Sequence, residues 1–148
     1  MKRILISAAC LALVCQGARA ASIGDCGDLN DITLIPEPIA DHSRSFLSGN
    51  VRVTTVDTGG EPVCCSAHAL IEVVNEDGWK ACFRLSMTDD QGYAWVYADR
   101  AVLLEQDEKK VYLFVPVEHY AHAGGTADFD VEMIELEIGL QPPAVQVE

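Results

Sequence analysis

The sequence predicts an all-β protein: a single disulfide-stabilised β-sandwich of about seven short strands. Three observations carry that expectation. Apolar and polar residues alternate along most of the chain, with no sustained helical stripe. Clusters of Gly, Asp, Asn and Pro interrupt the alternation at intervals of about 8 to 12 residues. Cysteines remain in even number once the expected leader is set aside.

The elements follow in order. Met1-Lys2-Arg3 is a short basic start, and Ile4 to Val14 is an apolar run too short to span a bilayer. Ala18-Arg19-Ala20 places small residues where a signal peptidase reads them, so residues 1–20 are expected to be a signal peptide cleaved before Ala21. Residues 21–45 read as an N-terminal segment. Within it Asp31 to Pro38 is expected to form a short edge strand, ended by Pro36 and Pro38.

The sandwich proper is expected over 46–140. Val51 to Val56 is rich in Val and Thr, residues 57–62 turn it, and Ala67 to Val74 is the next strand. Asp77-Gly78 has the composition of a two-residue hairpin turn. Beyond it Trp79, Ala81, Phe83, Leu85 and Met87 share one face, and Lys80, Cys82, Arg84 and Ser86 the other. Asp89 to Gly92 turns into a strand over Tyr93 to Tyr97, and residues 107–110 turn into Val111 to Val117. In the last strand Phe129, Val131 and Met133 have one parity while Ile134, Leu136 and Ile138 have the other, which predicts a β-bulge near Met133. Residues 141–148, with Pro142-Pro143, read as a tail. No later segment is long and apolar enough for a membrane helix.

Beyond the leader the cysteines are Cys26, Cys64, Cys65 and Cys82. A bond between the neighbours Cys64 and Cys65 is strained, because their Cα atoms are only ~3.8 Å apart. The expected arrangement joins Cys26 to Cys64 or Cys65 and the other of the two to Cys82. That pairing requires the chain to bend around Cys64-Cys65. A straight strand would instead pair Cys82 with Cys26.

The run from Val51 to Val63, with Asp57, Gly60, Pro62 and Val63 at the turn, followed by Thr88-Asp89-Asp90-Gln91-Gly92-Tyr93-Ala94, resembles bacterial immunoglobulin-like and prealbumin-like modules. The resemblance covers about 45 residues of common turn chemistry. It implies an immunoglobulin-like or prealbumin-like sandwich used for binding or structure, and no particular reaction. Cys64-Cys65-Ser66 departs from the small residues those modules carry after the Pro-Val pair.

The chain has 10 basic and 23 acidic residues, a formal charge of −13. Three of the basic residues (Lys2, Arg3, Arg19) and none of the acidic ones lie in 1–20, which leaves 7 against 23, or −16, for the rest. Such a surface disfavours nucleic acid and anionic lipid and steers cationic partners.

The candidate chemistry is sparse. Glu118-His119-Tyr120-Ala121-His122, with Gly124-Gly125 and Asp128 after it, carries residue types that bind zinc or copper. Histidines three apart share a face only on a helix, and the Gly pair predicts a loop, so His119 and His122 are only formal metal candidates, with His42 and His68 remote. The loop from His119 to Asp128, and the turn of Asp89, Asp90 and Tyr93, are the expected partner contacts. Cys64 or Cys65 beside His68 reads as disulfide chemistry rather than a nucleophile and base. Asp107-Glu108 reads as solvated turn, and Glu132, Glu135 and Glu137 as charged edge protection. No nucleophile elbow, phosphate loop or H-E-x-x-H is present, so no enzyme activity and no cofactor are expected. The expected function is a periplasmic or secreted inhibitor or immunity protein whose partner is a cationic cell-wall hydrolase or toxin. A structural or adhesive surface module and a periplasmic copper or zinc carrier are the alternatives.

Overall fold

The computed structural model describes residues 21–60, 65–123 and 126–148, and only the backbone of 121–123 and 126–127. The expected signal peptide, Cys64, Gly124-Gly125 and the His122 side chain lie outside the described residues.

Two antiparallel sheets face each other. The first has the order β1 (Ser22–Asp25), β5 (Lys80–Ser86), β4 (Ala67–Val74), β3 (Val51–Asp57), β2 (Ser43–Phe46). The second runs β10 (Pro143–Val147), β9 (Thr126–Leu140), β8 (Lys110–Ala123), with β6 (Trp95–Val96) and β7 (Val102–Gln106) sharing the far edge of β8. Strand alternation decides which residues meet in the middle. Val51, Val53, Ala69, Ile71, Val73 and Leu85 come from the first sheet, and Val111, Leu113, Val115, Val117, Leu136 and Ile138 from the second, all fully buried. The chain is therefore an all-β, disulfide-bonded sandwich.

One polar residue joins the layers. Thr55, fully buried on β3, donates its hydroxyl to the Val96 carbonyl at 2.8 Å and accepts the Ala98 amide at 3.3 Å. Burial of a hydroxyl is tolerated there because both roles are filled. Gly92 makes another close junction: a Cβ at this position would lie 2.3 Å from the Ala67 carbonyl oxygen. Its lack of one lets Tyr93 exchange two backbone hydrogen bonds with Ala67 at the start of β4.

The disulfide joins Cys26 to Cys82, with Cα atoms 5.6 Å apart. The expected bond from Cys26 to Cys64 or Cys65 is thereby corrected, and the strand register explains why. Asp25 pairs with Phe83, so the next position out sets Cys26 opposite Cys82. β4 runs unbroken from Ala67, with no bend to bring Cys65 toward Cys82. Cys82 lies opposite Glu72, and Asn75 to Trp79 form the connection in place of the expected two-residue turn. Trp79, expected on the apolar face, is part of that connection and 75% exposed. Cys65 stands just before β4, where its carbonyl accepts the Gly92 amide.

Asp31 to Pro38 is not an edge strand. Asp31 accepts the Thr33 amide and hydroxyl at 2.9 Å each, opening a 3-10 turn over Ile32–Leu34. Those two bonds hold its carboxyl below the usual carboxylate range. The reason is burial: Leu29, Leu34 and Ile35 pack with Cys26, Val56, Leu70 and Cys82 on the outer face of the first sheet. The segment from Cys26 to His42 thus crosses that face from one edge strand, β1, to the other, β2. Residues 141–148 are likewise not a tail, since Pro143–Val147 pairs with β9 from Leu140 to Leu136.

Candidate partner-binding surface

β8 and β9 form a hairpin in continuous register, from Lys110 opposite Gly139 to Ala123 opposite Thr126. The bulge expected near Met133 is absent, since Pro116 faces Met133 and Val115 faces Ile134 without a shift. The two parities are instead two faces of one strand. Ile134, Leu136 and Ile138 enter the core, whereas Phe129, Val131 and Met133 are 50%, 61% and 46% exposed on the outer face.

The inner face changes character along the hairpin. Val111 to Val117 are apolar at alternate positions and covered by the first sheet. Beyond them the same face carries His119 on β8 and Glu132, Asp130 and Asp128 on β9, the three acids exposed. His119 closes the core at this boundary. It is 4% exposed, meets the Tyr93 ring edge-on at 5.3 Å, and its Nε2 lies 2.6 Å from Glu132 Oε2. Its Nδ1 is buried with no hydrogen-bond partner among the described residues. On the outer face Tyr120 and Phe129 meet edge to face at 5.6 Å, and Tyr97 donates its hydroxyl to Glu118 at 2.7 Å.

The structure redistributes the expected contact residues. His119, Tyr120 and Asp128 do share the hairpin, but on strands rather than a loop, and His119 is buried. His122 lies in β8 opposite Ala127. On a strand, unlike a helix, positions three apart take opposite faces. Tyr93 is a core residue, 1% exposed, donating to the Ser86 carbonyl at 3.1 Å, and burial pushes its hydroxyl pKa up. It therefore does not act with Asp89 and Asp90 as one contact surface. Those two acids are exposed in a turn beside β1, where Ser22 donates to Asp89. The turn borders a cavity of about 230 Å³ lined by Thr58, Cys65, His68, Arg84 and Asp89 among others.

His68 and His42 are engaged elsewhere. His68 Nδ1 lies 2.8 Å from Ser86 Oγ, and burial, with the Arg84 charge adding to it, lowers the His68 pKa against the pull of Asp57. His42 stacks edge-on against Trp95 at 5.7 Å. Among the described residues no three His, Cys, Asp or Glu side chains converge as a metal site. Asp107 accepts the Lys109 and Lys110 amides at 2.7 Å each, holding its carboxyl low in a solvated turn. Glu137 is paired to Lys110 at 2.6 Å and accepts from Tyr112, which keeps it ionised below the usual range.

The exposed row of Phe129, Val131 and Met133 was not singled out as a surface from the sequence. Counting outward from Gly124-Gly125 as a two-residue turn sets His119 opposite Asp130 and reveals the two-faced strand. No protein-family model, curated protein or solved structure matches the chain. Among the described residues no helix is long and apolar enough to cross a membrane. That and the disulfide are compatible with an extracellular or periplasmic setting.

Proposed function

We propose that this protein is a periplasmic inhibitor or immunity protein that binds a cationic cell-wall-degrading enzyme of the lysozyme or amidase type. The carrying observation is the exposed stretch of β9 from Asp128 to Met133 in the β8–β9 hairpin. Exposed Asp128 and Asp130 occupy one face and exposed Phe129, Val131 and Met133 the other, on a chain of formal charge −13. Apolar anchors beside charge are the composition of a protein contact, and excess negative charge accelerates encounter with a basic enzyme. A disulfide-tied sandwich presents such a surface with little ordering cost. Enzymes that work on an anionic cell wall are the fitting class of basic partner.

The test is capture from periplasmic extract at low ionic strength, followed by a cell-wall hydrolysis assay. A basic hydrolase should be retained and inhibited, with inhibition weakening as salt rises. Failure to retain or inhibit any hydrolase at low salt overturns the reading. Recovery of cell-surface components in its place favours a structural or adhesive immunoglobulin-like module.

A further inference from the structure

β9 is longer than the strand beside it. β10 pairs with β9 only from Leu140 to Leu136, and the Glu148 amide adds one more bond, to the Glu135 carbonyl. Among the described residues no strand continues alongside Asp128 to Ile134. Antiparallel ladders alternate which residues bond to which side. Since Glu135 bonds toward β10, the backbone groups of Met133, Val131 and Phe129 point to the same side, away from β8. The Phe129 amide is taken by its neighbour's carboxylate, Asp128 Oδ1, at 3.0 Å, as expected of a donor outside the β8 ladder.

We infer that this edge of β9, from Asp128 to Ile134, takes up an extended segment of a basic protein as an added strand. The segment would set basic side chains beside Asp128, Asp130 and Glu132, and apolar ones beside Phe129, Val131 and Met133. The inference rests on the proposed binding of a cationic partner and locates where that partner is held. Backbone hydrogen bonds supply the attachment and alternate side chains the selectivity, which is the logic of strand addition. Charge names the occupant. A second copy pairing antiparallel along the same edge would set its acidic row against this one, and like charges directly opposite destabilise a ladder. A strand alternating basic and apolar residues meets both faces with complementary chemistry. An edge about seven residues long spans roughly 23 Å, enough for several backbone hydrogen bonds and alternate side-chain contacts.

The experiment measures binding of the purified full chain to a synthetic heptapeptide alternating lysine and valine, and to a basic lysozyme. One control peptide carries N-methyl groups on the amides of one edge, and a second has the same composition with its lysines grouped. Two protein variants are compared. Val131→Pro removes an edge-facing N–H, a place where a strand accepts proline, and Asp130→Lys reverses one charge in the acidic row. Thermal melts establish that each variant folds.

The expected result is binding of the alternating peptide at low salt, weakened about tenfold or more by N-methylation, by grouping the lysines and by either variant. Equal binding of the parent and N-methylated peptides overturns the inference, as does undiminished binding by Asp130→Lys. If Val131→Pro does not fold, the N-methyl control and Asp130→Lys carry the same decision. Absence of lysozyme binding by the parent counts against the proposed function itself. Lysozyme binding that both variants retain leaves that function standing and removes the β9 edge from it.

Discussion

The two sheets treat their outer faces differently. On the first, the Cys26 to His42 segment lies across the strands, buries Val56 and Leu70, and is tied down through Cys26 to Cys82. On the second, Phe129, Val131 and Met133 stand exposed, and among the described residues no strand pairs with the outer edge of β9 from Asp128 to Ile134. Apolar residues on an outward face therefore have two meanings in one molecule. Where the chain brings its own cover, they are a second small core. Where the described residues bring none, they stand as exposed apolar surface.

The strongest way to break this contrast is to release the cover. Replacing Cys26 and Cys82 by serine together should lower stability by roughly 4 kcal/mol in chain-entropy terms for a bond spanning 56 residues. Urea unfolding of parent and variant measures it, and a loss under about 1 kcal/mol would mean the segment is held by packing alone. The next effect separates the two faces residue by residue. Leu70→Ala, beneath the cover, should cost roughly 2 to 4 kcal/mol. Val131→Ser, on the open face, should change stability by about 0.5 kcal/mol or less. Similar values for the two would erase the distinction.

The smallest expected effect is a dependence on pH from the covered side. Burial lowers the His68 pKa from its ordinary 6.5, so the unfolded chain takes up a proton before the native one does. Its contribution to stability is full above pH 6.5 and is lost as pH falls from there toward the depressed native value. Unfolding measured at several pH values should show a shallower acid-side loss in His68→Gln than in the parent. Identical slopes would assign the acid sensitivity to other groups.

The same contrast explains what could be read from the sequence. Where one strand face meets the core, alternation is sufficient: Leu85 is buried and Lys80 exposed, as their parity requires. The outward faces defeat it. Phe129, Val131 and Met133 look like core residues by chemistry, so their parity read as a bulge rather than as exposure. Leu34 and Ile35 looked like strand residues, yet their partners on the outer face of β3 and β4 are set by a crossover that local pattern does not encode. The disulfide follows from the same gap, because it depends on β1 pairing with β5, a contact between distant parts of the chain. The candidate surface was half legible. Asp128 and a connection at Gly124-Gly125 were visible, while Asp130, the long paired strands on either side and the apolar row required the register.

Thr55 bears on how the molecule moves. Its hydroxyl is bonded both as donor and as acceptor to the opposing layer, in a place closed to water. Sliding one sheet past the other would break both bonds at once with no solvent to replace them. The layers are thereby coupled as one mechanical unit near β6.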